Sequence, residues 1–208
     1  MDTTVFSTAL RNVAGALETP VIVILLILIA ATLVLLGSLA AEFFTERRRL
    51  KVRLPLLVDQ LRSTTNIAGT VNESGLLKRQ KKALTEVTLH PELTDVMREA
   101  LALRLLEEEK SRFDNIVKLS EIIARLGPML GLLGTLIPLG PGIVALGQGD
   151  TYTLSTSLLT AFDTTVAGLV CAAVATMIST IRKAWYNNYM SILESLMECV
   201  LEVMKNDA

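Results

Sequence analysis

The chain has 208 residues, of which 51% are hydrophobic and 20% charged, with a formal net charge of −1. As averages these values also fit an apolar soluble domain, but their distribution along the chain excludes one. Two cysteines, Cys171 and Cys199, exclude a disulfide framework, and they have no metal-ligand spacing.

Residues 1–18 read as a short external amphipathic helix, with Val5, Leu10, Val13 and Leu17 apolar among polar neighbours. Thr19 to Ala41 carries no charge. A bilayer core of about 30 Å needs roughly 20 apolar helical residues, so residues 19–42 form a first transmembrane helix. Val21 to Ile29 is apolar all round, as suits a lipid-facing helix. The run starts far from any basic N-terminus and is followed by Glu42-Phe-Phe-Thr-Glu-Arg-Arg-Arg49, without small residues for cleavage. It is therefore expected to be a retained anchor and not a secretory signal.

Residues 43–125 form a helical cytoplasmic segment. Leu54, Leu57, Val58 and Leu61 predict a helix over Leu50 to Arg62. Asn66, Gly69, Asn72, Ser74 and Gly75 mark Asn66 to Gly75 as a loop. A second helix is expected from Leu76 to about Thr88, ended by His90-Pro91. From Glu92, the recurrence of Leu93, Val96, Ala100, Leu103 and Leu106 predicts a third helix that continues through Ile116, Leu119 and Ile123 into the next span. This segment has 16 basic and 12 acidic residues, no glycine-rich phosphate loop, no metal spacing and no aromatic–basic stripe for nucleic acid. Its charges read as the solvated faces of a helical bundle.

Leu126 to Gly149 is again uncharged, and residues 126–147 form a second transmembrane helix. Gly127, Gly131, Gly134, Pro138 and Gly142 recur at three- or four-residue steps, a face on which helix backbones can approach closely. Pro138 and Pro141 each remove an intrahelical hydrogen bond, so the outer half of this span is expected to kink or unwind. Freed carbonyls at membrane depth require a protein interior or a hydrated cavity.

A loop over 148–152 leads to a third transmembrane helix over 153–181, and residues 182–208 form a tail. The third span carries one charge, Asp163. On a helical wheel Leu158, Leu159, Phe162, Val166, Leu169, Val170 and Met177 share one third of the circumference. Thr160, Thr164, Thr165, Gly168 and Asp163 fall in the remainder. A charged group at mid-bilayer costs about 2.5–3.5 kcal/mol even on lenient scales, so such acids face a pathway or a partner. Asp163 lies about 15 Å along its helix from the outer loop, and Thr135 lies equally far along the antiparallel second span from Arg125. The two share a level near the midplane, where Asp163 with Thr135, Thr160, Thr164 and Thr165 can hold a proton or a small cation. Singly, each threonine reads as satisfying its hydroxyl on its own helix.

Sixteen of the 20 Lys and Arg lie between Phe43 and Arg125, and Arg182 and Lys183 follow the third span. The N-terminus and the 148–152 loop are therefore expected outside, with the 43–125 segment and the tail in the cytoplasm. The fold class is an all-α integral membrane protein with three transmembrane helices, the second and third of which extend into the cytoplasm.

Gly131-Leu-Leu-Gly-Thr135 and Leu159-Thr-Ala-Phe-Asp-Thr-Thr-Val-Ala-Gly-Leu169 resemble the LGLxGTV and ALxTTAxGL segments of the TolQ/ExbB/MotA family. The order of spans resembles the TolQ/ExbB type more than the four-span MotA pattern. The resemblance implies a homopentamer in the inner membrane whose second and third helices line a pore. It implies single-span TolR/ExbD/MotB-like partner helices in that pore, bearing the ion-carrying aspartate. It matches Thr135 and Thr165 to the family's pore threonines, and implies neither enzyme activity nor a cofactor. Asp163 departs from the pattern, which has an apolar or neutral residue there. Two alternatives are a non-conducting helical scaffold and, from Gly147-Gln-Gly-Asp150, an intramembrane aspartyl protease using Asp150 and Asp163. The second fails on distance, because a shared-proton dyad needs adjacent carboxyls and these lie roughly 20 Å apart along a helix.

Overall fold

The computed structural model describes residues 3–46, 54–63, 67–90 and 93–206, and every element among them is a helix. The helices are α1 (Thr3–Glu46), α2 (Leu54–Ser63), α3 (Ile67–Glu73), α4 (Lys78–Thr88), α5 (Asp95–Gly147) and α6 (Thr151–Asn206). Three of them, α1, α5 and α6, are long and apolar enough to cross a membrane. At 1.5 Å per residue, α5 and α6 are each about 80 Å long, far more than a bilayer needs. The second and third spans are thus the apolar ends of much longer helices.

The described residues of Met1–Ser38 and Lys118–Thr180 form one compact unit, and those of Leu39–Val117 and Ile181–Ala208 form another. In the first unit α1 buries a single stripe, Val21, Leu25, Leu28, Thr32 and Leu35, at alternating four- and three-residue steps. Val23, Ile24, Leu26, Ile27, Leu33 and Val34 are exposed around it, as an apolar solvent would favour. The Thr32 hydroxyl, within the stripe, donates to Leu28 O at 2.7 Å, so the helix satisfies its own polar group.

Helix α1 runs unbroken through Pro20, joining residues 3–18 to the span. Helix α5 likewise stays helical through Pro128, Pro138 and Pro141. The expectation that its outer half unwinds is corrected: each proline removes one bond, but the ladder resumes on both sides, as transmembrane helices packed on neighbours allow.

In the second unit the short helices pack on the extensions of α5 and α6. Leu57 and Leu61 of α2, Ile67 and Val71 of α3, and Ala83, Leu84 and Val87 of α4 form one core. Leu193, Leu196, Met197 and Val200 of α6 complete it, together with Ala102 of α5. The stretch expected to be a loop contains α3, because Ile67 and Val71, one turn apart, bury an apolar edge that outweighs the turn residues Gly69 and Asn72. Gln80 joins α4 to α6. Its Nε2 donates to Tyr189 O at 3.3 Å, and its Oε1 accepts from Leu77 N at 3.2 Å. Helix α4 ends at Thr88, two residues before His90. The basic cluster Arg47–Arg53, Asn66, Pro91 and Glu92 lie outside the described residues.

Candidate ion pathway in the membrane-spanning helices

Helices α5 and α6 are joined by a three-residue turn whose chemistry is fully specified. Gly149 has φ +78°, a left-handed conformation that glycine adopts without penalty. Asp150 N donates to Ala145 O at 2.9 Å and Gly149 N to Leu146 O at 3.1 Å, the paired bonds that close a Schellman C-cap. Asp150 then caps α6, with its Oδ1 accepting from Thr153 N at 3.1 Å and its Oδ2 from the Thr153 hydroxyl. Those bonds, the hydroxyl first, hold the Asp150 carboxyl below its usual range. The aspartate of the Gly147-Gln-Gly-Asp150 stretch is therefore a helix cap. Asp163 follows it by 13 residues on one unbroken helix, which leaves no shared-proton pair.

Beyond the turn the two helices pack through glycine. A β-carbon built on Gly127 would lie 2.6 Å from Gly168 O, and one on Gly168 would lie 2.5 Å from Gly127 O. One on Gly134 would lie 2.6 Å from Thr164 Cβ, and one on Gly142 would lie 3.0 Å from Ser157 Cβ. Gly131 faces Thr164 O and Thr165 Cα at 3.4 and 3.5 Å, and Pro138 is buried. At Gly127, Gly131 and Gly168 such separations place backbone against backbone, and at Gly134 and Gly142 backbone against a small side chain, the contacts by which membrane helices associate when apolar burial drives nothing.

This seam fixes depth. Gly134 against Thr164 puts their neighbours Thr135 and Asp163 at one level of the helix pair. Level is not direction, however. The Thr164 side chain is buried in the seam, and its hydroxyl donates to Thr160 O and Ala161 O. Thr165 lies beside the seam and donates to Ala161 O at 3.0 Å. Thr160 donates to Thr156 O at 3.1 Å, and Thr135 to Leu132 O at 2.7 Å. Each of these hydroxyls spends its proton on its own helix and keeps lone pairs free to accept. Asp163 points elsewhere: two residues from Thr165 is about 200° around an α-helix. It is exposed, among the exposed side chains of Leu159, Phe162, Val166 and Val170. No described group of the chain bonds to its carboxylate. The structure thus brings the five residues to one depth but not to one face.

One pairing was not legible beforehand. Arg182 Nε donates to Glu42 Oε2 at 3.1 Å, where the first charges after the first and third spans meet. Phe43, next after Glu42, and Trp185, three residues after Arg182, have ring centroids 6.0 Å apart. The available signal was topological, since the two spans run in the same direction and end at the same face. Among the described residues no cluster of His, Cys, Asp or Glu could hold a metal, and Cys171 and Cys199 are free and buried.

Residues 70–195 match the model of the MotA/TolQ/ExbB proton channel family, from α3 through both glycine-packed helices. The chain belongs to this family. The matched stretch covers well over half the sequence and contains Asp163, all four threonines and every glycine of the seam. No individual curated protein matches it. Membership with three apolar helices makes the chain a multi-pass membrane protein, and the family's role is proton conduction.

Proposed function

We propose that this chain is the proton-conducting subunit of a membrane motor driven by the ion-motive force. In this reading it forms a homopentameric ring in the inner membrane, N-terminus outside and C-terminus in the cytoplasm. The ring encloses single-span TolR/ExbD/MotB-like helices that bring an intramembrane aspartate.

One observation carries the reading. Asp163 is an ionisable side chain in a membrane-spanning helix that the described residues of its own chain leave exposed and unpaired. Lipid does not stabilise an exposed carboxylate, so an assembled neighbour or a hydrated path must meet it. The three spans contain no lysine or arginine to neutralise it, which leaves a proton or mobile cation as its counter-charge. Thr135 and Thr165 flank the α5–α6 seam at the same depth, where their free lone pairs can accept from water or hydronium.

The test is proton flux in liposomes holding this chain with the single-span protein that co-purifies with it. Asp163→Asn keeps the size and removes the titratable proton. It is expected to abolish flux while leaving co-purification intact, and Asp163→Glu is expected to retain part of it. Parental flux from Asp163→Asn would make the aspartate a packing residue, with the partner as the only carrier.

A further inference from the structure

The second unit holds a groove of about 560 Å³ between the start of α4, the middle of α5 and the α6 extension. Its volume lies within the roughly 300–1,000 Å³ of small-molecule sites. The groove is two-faced. Its floor is apolar and aromatic, including Leu77, Phe113, Tyr186 and Met190, with Phe113 stacked on Tyr186 at 4.4 Å. Its rim is cationic. Lys78, Arg79 and Arg112 line it and are exposed, and no described residue pairs with any of them. The acids on the lining are Glu42, already paired with Arg182, and Glu109.

The start of α4 sharpens the point. A helix N-terminus carries partial positive charge and favours acids in its first turn. Helix α4 has none there and begins Lys78-Arg79-Gln80-Lys81 instead, so like charges converge where the free backbone N–H groups also point. That arrangement favours an anion. Position along the chain indicates its source. Tyr186, where the groove begins on α6, follows Arg182 by one helical turn, and Arg182 and Glu42 are the first charges beyond the third and first spans. Along α6 that turn is about 6 Å, within the headgroup layer that borders the hydrocarbon core.

We propose that this groove binds an anionic phospholipid, with its phosphate held by Lys78, Arg79 and Arg112 and its glycerol and first methylenes on the Leu77–Phe113–Met190 floor. The proposal rests on membrane placement and not on conduction.

Trp185, the chain's single tryptophan, adjoins the groove and reports on it. The full-length protein in phosphatidylcholine vesicles is titrated with brominated phosphatidylglycerol or brominated phosphatidylcholine, and quenching of Trp185 gives relative affinity. The parent is expected to prefer the anionic lipid by at least about fivefold. Combined Lys78→Gln, Arg79→Gln and Arg112→Gln is expected to bring the ratio near one. Arg104→Gln, Lys110→Gln and Lys205→Gln together, removing equal charge outside the groove, are expected to preserve it. Equal quenching by both lipids in the parent would overturn the proposal, as would preference surviving the groove variant or lost equally in the control. Loss of the preference on adding millimolar glycerol phosphate would also overturn it, by assigning the groove to a soluble phosphate compound.

Discussion

Arg182 is 2% exposed, and its guanidinium donates to Glu42 across 140 residues of sequence. A buried cation that loses its carboxylate keeps its desolvation cost without the compensating bond. Glu42→Ala is therefore expected to destabilise the protein by about 2–3 kcal/mol, and Glu42→Asp, with a shorter reach, by less. Thermal unfolding of the detergent-solubilised protein measures both. An unchanged melting temperature in Glu42→Ala would show that other contacts of Arg182 suffice.

The glycine seam predicts a sharp contrast within one helix. Gly127→Ala would place a methyl 2.6 Å from a backbone oxygen of α6, and that oxygen cannot move without shifting the helix. Gly140→Ala meets nothing within 4 Å. The first is expected to lower thermal stability severely, and the second to leave the isolated fold unchanged or slightly stiffer. Size-exclusion profiles and melting curves of the two variants decide the matter.

Thr135→Val and Thr165→Val preserve shape and break only bonds to their own helix carbonyls, Leu132 O and Ala161 O. Folding and assembly are expected to persist. Proton flux should fall, but less than in Asp163→Asn, because each change removes one oxygen and no titratable charge. Full flux in both variants would remove the threonines from the pathway.

Asp150 caps α6 through Thr153, and those bonds depress its pKa from 3.8. A depressed carboxyl stabilises the fold above its unfolded-state pKa and loses that contribution as pH falls through the folded value. Asp150→Ala should therefore melt earlier than the parent at neutral pH, with the gap closing only below about pH 4. Asp150→Asn, an equally good cap, should recover most of the loss. A gap that persists at pH 3 would point to packing and not to the carboxylate.

Orientation is testable with the protein's own background low, since Cys171 and Cys199 are both buried. A cysteine introduced at Gln148 should react with an impermeant reagent added to intact cells, and one at Ser63 should not. The reverse pattern would invert the topology.

Sequence alone determined what depends on position along one helix. Long apolar runs, with Asp163 the one charge among them, locate the three spans. The unbroken periodicity from Val96 to Ile123 joins the third soluble helix to the second span, as α5 shows. Counting residues put Thr135 and Asp163 at one depth, because rise per residue is fixed whatever the neighbours do. His90-Pro91 marked a helix end for an equally local reason. Tertiary structure decided which face each residue meets. Thr164 and Asp163 are adjacent and both polar, yet the glycines of α5 bury one and leave the other exposed. Packing also turned part of the Asn66–Gly75 stretch into α3, because Ile67 and Val71 found a core shared with α2, α4 and residues of α6 more than 120 positions away. The Glu42–Arg182 pair has the same character. Periodicity fixes the angle between two side chains of one helix, and contacts with distant segments fix where that angle points.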